Sequence, residues 1–247
     1  MRYLVLTDIH ANLEGLDASL ADAQTHGYDA ILVLGDIVGY GPDPNAVIDR
    51  VRELKPVAIV RGNHDKVAMG LHQAEGFHAV ARAAATWMLE TLTPENREWL
   101  VELPMGPAVI EGGIEICHGA PFDEDAYIFD ELDARQALDS STEPVSFYGH
   151  THFAVVFRLL GGTLDVVSPS PSGNTEILLD PAAKYLVNPG SVGQPRDGDP
   201  RAAYAIYDTT AQRINLLRVP YDIQATQAKM RSAGLPEPLS RRLSAGR

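Results

Sequence analysis

Three short, unbroken apolar runs constrain this chain most: Leu4-Val5-Leu6, Ile31-Leu32-Val33-Leu34 and Val57-Ala58-Ile59-Val60. Each has the length and composition of a strand covered on both faces, the hallmark of a parallel sheet. The stretches between them have helical spacing. Leu13, Leu16 and Leu20 recur at i, i+3, i+7, and Val47, Val51 and Leu54 at i, i+4, i+7. Asp43-Pro44 reads as an N-cap followed by proline at the first helical position. The first third is therefore β-α-β-α-β with a parallel sheet.

Further along, helices are expected over 78–92 and from Thr93-Pro94 to Leu100, and then the pattern turns to strands. Gly112-Gly113 joins Val109-Ile110 to Ile114-Glu115-Ile116 as a hairpin, and Gly161-Gly162 marks a second one. Val145–Phe147, Phe153–Leu160, Thr163–Val167, Glu176–Leu179, Ala202–Tyr207 and Arg213–Val219 read as strands, with Ser168–Gly173 as a surface loop. Asp222 caps a last helix that stops near Gly234-Leu235-Pro236. Together the halves predict an α/β fold of two stacked sheets with helices outside, in one domain spanning 1–247.

The net charge of −13, from 20 basic and 33 acidic residues, repels a nucleic-acid backbone, and no basic cluster interleaved with aromatics offsets it. Duplex nucleic acid is not an expected partner. A small phosphoester remains accessible where bound cations reverse the local sign. No apolar run of about 18 residues is present, so no membrane span is expected. The start, Met1-Arg2-Tyr3, leads straight into a strand, and the reading is cytoplasmic. A single cysteine, Cys117, excludes an intramolecular disulfide and reads as a buried apolar thiol beside His118. A homodimer is compatible with the sequence and not required by it.

Six short signatures follow one another along the chain: Asp8-Ile9-His10, Gly35-Asp36, Gly62-Asn63-His64-Asp65, His118-Gly119, Gly149-His150-Thr151-His152 and Asn188-Pro189-Gly190-Ser191. The first three follow the three apolar runs, and ligands of open α/β sheets bind at the carboxyl ends of strands. Period-two spacing is expected to put Asp8 with His10, and His150 with His152, on one side of the chain while Ile9 and Thr151 point away. A set of Asp, His and Asn without sulfur suits two divalent ions, with Mn, Fe, Zn, Co or Ni favoured over Ca or Mg. Asn188-Pro189-Gly190-Ser191 fits a type II turn.

In these motifs the chain resembles the calcineurin-like metallophosphoesterase superfamily, whose pattern is D-x-H, G-D, G-N-H-[D/E], H and G-H-x-H, with every ligand position kept here. The resemblance implies a four-layer α/β/β/α sandwich with metals at one edge of the two sheets. It implies that Asp8, His10 and His152 hold one ion, Asn63, His118 and His150 the other, and that Asp36 bridges them. A hydroxide between the ions would then attack the phosphorus. His64, next to Asn63, is the expected general acid for the leaving group. Asp65 either orients His64 or caps the segment that follows. Asn12 caps the first helix or touches substrate, and Arg196 is either a substrate-phosphate contact or a surface ion pair.

The chain departs from two well-known groups of the superfamily. Protein Ser/Thr phosphatases and symmetric dinucleoside tetraphosphatases place Arg-Gly after Gly-Asp, where Tyr40 stands here. Gly39 stands where the protein phosphatases place a carboxylate supporting the catalytic histidine. A phenol cannot replace a bidentate guanidinium. The pattern looks closer to the small bacterial and archaeal phosphodiesterases. The expected activity is hydrolysis of a phosphodiester of a small organic or nucleotide substrate. The alternatives are a phosphomonoesterase or nucleotide pyrophosphohydrolase, or a non-catalytic metal-binding scaffold. Segments 69–78, 119–133 and 193–201 are expected to shape the pocket, the first as a rim or lid.

Overall fold

A computed structural model describes residues 1–71, 78–170 and 173–247. In chain order, the first half runs β1 (Arg2–Leu6), α1 (Leu13–His26), β2 (Ala30–Val33), α2 (Pro44–Leu54), β3 (Ala58–Ile59), α3 (Asn63–Met69), α4 (Ala79–Thr91) and α5 (Pro94–Val101). Then come β4 (Ala108–Ile110), β5 (Ile114–Ile116), α6 (Glu131–Ser140), β6 (Val145–Phe147), β7 (Val155–Leu160), β8 (Thr163–Val167) and β9 (Thr175–Leu178). Finally β10 (Lys184–Asn188), β11 (Ala202–Asp208), β12 (Arg213–Val219), α7 (Ile223–Ser232) and α8 (Glu237–Ala245) close the chain.

Two six-stranded mixed sheets form, ordered β3-β2-β1-β11-β12-β9 and β4-β5-β6-β10-β7-β8. Alternation along β1 shows how they stack. Tyr3 and Val5 enter a cluster with Ile116, Phe147 and Val187 of the second sheet. Leu4 and Leu6 turn the other way, to Leu16, Val47 and Met88 of the outer helices. On the far side of the second sheet, Phe157 and Leu186 pack on Ala134 and Leu138 of α6. The layers are therefore helices, sheet, sheet, helix, and strands covered on both faces read as continuous apolar runs for this reason.

Parallel pairing places the motifs. β1, β2 and β3 run parallel in the first sheet, and β5, β6 and β10 run parallel in the second. Each of the six signatures lies at or just after the carboxyl end of one of these strands, so all six arrive at one edge of the sandwich.

Several elements depart from the sequence reading. β7 begins at Val155, not Phe153, and β9 is Thr175–Leu178. β10, α3 and α6 were not anticipated. β10 is a five-residue KYLVN strand buried on both sides, with no alternation to reveal it. α6 buries mainly Ala134 and Ala137, a weak apolar stripe. The helix capped by Asp222, α7, does stop before Gly234-Leu235-Pro236, but it is not the last. Gly234, at φ 71°, turns the chain into α8, whose first turn tolerates Pro238. Cys117 is fully buried in the cluster beneath α6, and burial pushes its thiol upward.

Candidate metal centre

The expected extended geometry of Asp8-x-His10 and His150-x-His152 is corrected by the backbone. Asp8 (φ 51°), His10 (48°), Asp36 (51°), His150 (68°) and His152 (61°) are all left-handed. For non-glycine residues this costs about 1–2 kcal/mol each, and such strain concentrates at functional sites. The surroundings fix it. Asp8, His10 and Ala11 donate their amides to the carbonyls of Gly35, Asp36 and Ile37 at 3.1, 2.9 and 2.9 Å. The side chains converge because the loop curls, not because a strand alternates. Ile9 still packs into the helix-side core.

The sixth signature supports the others. Asn188 donates from Nδ2 to the Gly149 carbonyl at 2.8 Å and to Thr151 Oγ1 at 2.9 Å, which braces the Gly149–His152 loop. Ser191 Oγ donates to the Asp8 carbonyl at 2.8 Å. Gly149 lies so close that a Cβ there would be 2.1 Å from Thr7 Oγ1 and 2.7 Å from Asp8 Oδ2.

Two donor groups result: Asp8, His10, Asp36 and His152, and Asp36, His118 and His150, each with its ligand atoms within 4.8 Å of one another. Asp36 belongs to both. Its Oδ2 lies 3.5 Å from His10 Nε2 and 3.4 Å from His118 Nε2, while Oδ1 accepts from the His64 amide at 2.9 Å. Asn63 Oδ1 joins the second group, 3.2 Å from His118 Nε2.

The outward ring nitrogens are held by backbone carbonyls: His10 Nδ1 by Val38 (3.2 Å), His118 Nδ1 by Leu34 (2.8 Å), His152 Nδ1 by Gln194 (2.6 Å) and His150 Nε2 by Asp125 (3.2 Å). A neutral imidazole that donates outward presents a lone pair inward. Yet His10 and His152 bring Nε2 atoms within 3.1 Å, and His118 Nε2 lies 3.2 Å from His150 Nδ1. Facing lone pairs beside carboxylates call for positive charge between them, so this donor set fits divalent cations.

Without cations between them the buried groups balance charge among themselves, with His118 as the cation beside the carboxylates. Burial pushes Asp8 up to about 7, against the opposing charge of His118. Burial alone would lower His118, but Asp36 more than offsets it and raises the imidazole to about 10. Burial holds His10 and His152 well below the usual histidine range and His150 down to about 3.

His64 lies in the first turn of α3 beside this centre, 4% exposed. Its ring lies 4.3 Å from Tyr40 and 5.0 Å from His10 between centroids. Burial lowers it to about 4, with Asp36 opposing and Arg196 adding to the drop. Gly39 sits at φ 103°, and a Cβ there would stand 2.5 Å from His64 Nδ1. The position that carries a carboxylate in the protein phosphatases has no room for a side chain here. Asp65 accepts from the Gly62 amide at 2.9 Å and the Val38 amide at 3.1 Å, which ties the start of α3 to the Asp36 loop. Asn12 Oδ1 accepts from Gly15 as the α1 cap, and its Nδ2 donates to the Gly193 carbonyl at 2.8 Å. It is 1% exposed and lies beneath the cleft, not in its wall.

The family model for the calcineurin-like phosphoesterase superfamily domain matches residues 1–212. The chain belongs to this superfamily. It is 40% identical to a metallophosphoesterase from Sphaerobacter thermophilus, whose crystal structure superposes with a TM-score of 0.88 over 100% of this chain and 99% of that one. An uncharacterized protein of Methanocaldococcus jannaschii is 36% identical, covering 98% of this chain and 97% of its own. A hypothetical protein from Pyrococcus horikoshii shares the fold at 20% identity, with a TM-score of 0.80 over 100% of this chain and 98% of that one. The chain is thus a phosphoesterase-family protein with residues that could hold metal.

A cleft of ≈ 330 Å³ opens over the superfamily motifs. Arg196 lines it, with its guanidinium 5.6 Å from the Tyr40 ring centroid and donating to Gln194 Oε1 at 2.9 Å. Among the described residues no carboxylate lies within 4 Å of Arg196, so the structure gives it no surface ion pair. Of the expected lid, His78 caps α4 and lines the cleft, while 72–77, including His72, lie outside the described residues.

Sequence reasoning missed three contributors. Tyr127 stacks on His150 at 3.7 Å and 25°. Its loop is anchored by Arg61, which grips Glu124 at 2.9 and 3.1 Å, and by buried Lys66, 2.6 Å from Asp125 Oδ1. Arg242 and Arg247 also line the cleft, from α8 and just beyond it. Leu239 and Leu243 at i, i+4 were the available signal for α8, obscured by the prolines.

Proposed function

We propose that this chain is a metal-dependent phosphoric ester hydrolase acting on a small organic or nucleotide phosphodiester. The observation that carries the reading is Asp36 Oδ2, placed between His10 Nε2 and His118 Nε2 at 3.5 and 3.4 Å, where one carboxylate serves both donor groups. In this reading Asp8, His10 and His152 hold one ion, Asn63, His118 and His150 the other, and Asp36 both. Two bound divalent ions would polarise the phosphoryl oxygens and activate a water.

The chain's own residues supply the rest. Arg196 grips a non-bridging phosphoryl oxygen and orients the ester. His64 donates a proton to the leaving oxygen. Burial by itself disfavours the charged form of His64, and an arriving phosphate anion offsets this. Asp65 positions His64 through the backbone of α3, and Asn12 fixes the start of α1 under the centre. The small cleft and the acidic surface suit a small phosphoester rather than a duplex. Among the described residues no helix is long and apolar enough to cross a membrane.

The test is hydrolysis of bis-p-nitrophenyl phosphate and p-nitrophenyl phosphate by metal-stripped protein after adding back Mn, Ni, Zn, Co or Mg singly. The expected result is metal-dependent diester turnover that disappears in Asp36→Asn. Monoester preference would replace diesterase by monoesterase. Two bound metals with no turnover across a broad phosphoester panel would favour a binding role.

A further inference from the structure

The chain is strongly acidic, and most of its arginines lie against carboxylates, as Arg2 with Asp208, Arg61 with Glu124 and Arg213 with Glu176. Three break this pattern in one place. Arg196, Arg242 and Arg247 all line the ≈ 330 Å³ cleft. Among the described residues no carboxylate lies within 4 Å of any of them, and the side chains of Arg242 and Arg247 make no hydrogen bond. Guanidinium groups gathered in a concave site with no ion-pair partner of their own repel one another until an anion arrives, and they focus a positive potential on their side of the cleft. A phosphodiester carries a single negative charge, which Arg196 alone can meet.

The two extra arginines are held in place. Leu239 and Leu243 of α8 pack into a cluster with Tyr40, Ala81 and Met230. Just past α8, Gly246 is left-handed at φ 61°, and its carbonyl accepts from Gly198 at 2.9 Å. That bond ties the α8 end to the loop that carries Arg196. Tyr40 lies between the two sides: its ring meets His64, and its phenol, raised mainly by burial, feels both Arg196 and Arg242. Both arginines lie beyond the residues matched by the superfamily model, which end at 212.

We infer that Arg242 and Arg247 form a second anion subsite in the same cleft as the candidate metal centre, and that this chain selects substrates with a second phosphoryl group beside the scissile one. This rests on the metal-dependent hydrolase reading above but not on its diester preference, in whose place it puts esters or anhydrides of condensed phosphate. Planar guanidinium forks match phosphoryl oxygens bidentately and supply the recognition.

The experiment is calorimetric titration of the metal-loaded chain with inorganic pyrophosphate and with orthophosphate. It is run for the wild type, Arg242→Gln, and Arg242→Ala combined with Arg247→Ala. The wild type is expected to prefer pyrophosphate at least tenfold, and the double variant to lose about tenfold of that preference, with Arg242→Gln in between. Metal chelation by pyrophosphate is common to all three proteins and cannot produce a difference between them. An equal preference in all three overturns the subsite. If the double variant fails to fold, the polar Arg242→Gln single variant decides alone. Loss of ester turnover in a wild type that keeps its arginine-dependent pyrophosphate preference would sink the hydrolase reading and leave the subsite standing.

Discussion

Each histidine of the candidate centre turns one nitrogen to a backbone carbonyl and the other inward, so its tautomer is set before any ligand arrives. The carbonyls come from Val38 and Leu34 on the loop after β2, and from Gln194 and Asp125 on two others. His64 differs in facing Tyr40 and the cleft. His64→Ala is expected to keep its metal content and lose about 10²–10⁴-fold in turnover of esters with poor leaving groups, with a smaller loss on p-nitrophenyl esters. Equal losses on both would refute proton donation. Gly149→Ala forces a methyl against Thr7 Oγ1 and Asp8 Oδ2, at 2.1 and 2.7 Å. It should cost about 1–3 kcal/mol of stability and weaken metal binding. Denaturant unfolding with a metal titration checks this, and unchanged values for both would show that the close packing is relaxed at no consequence.

Among the elements, α8 holds Arg242, and Leu239 anchors α8 with no exposure. Leu239→Ala is expected to cost about 2–5 kcal/mol, read as a lower urea midpoint at unchanged slope. A cost under about 0.5 kcal/mol, typical of surface positions, would mean that α8 is only loosely attached. The parallel strands β1 and β2 were legible in sequence because burial on both faces leaves an unbroken apolar run. α1 and α2 were legible from their leucine and valine spacing. α6 and β10 were not, since alanine gives a helix face little contrast and a doubly buried strand of five residues has no period to detect. α8 was hidden because proline ends one helix and opens the next with the same local chemistry.

At the scale of the molecule, loops from two sheets must meet for the centre to exist, and a cation bound by the native fold alone stabilises it by mass action. With metal at about 100 times its dissociation constant this is about 2.7 kcal/mol, and a chain of this size gains roughly 2–4 °C per kcal/mol. Chelator treatment should therefore lower the melting temperature by about 5–10 °C, with recovery on adding metal back. Equal melting temperatures in the two forms would count against a preformed metal site.

The sequence by itself determined the donor types, their order, and their arrival after strand ends, because these depend on residue identity and on near-neighbour periodicity. The superfamily followed from the same motifs. Only the tertiary structure decided the left-handed turns that aim Asp8, His10, Asp36, His150 and His152, the stacking of Tyr127 on His150, and the placing of Arg242 and Tyr40 in one cleft. These are relations between segments far apart in the chain. Their geometry is set when two sheets and the C-terminal helices pack together, and no local pattern encodes that outcome.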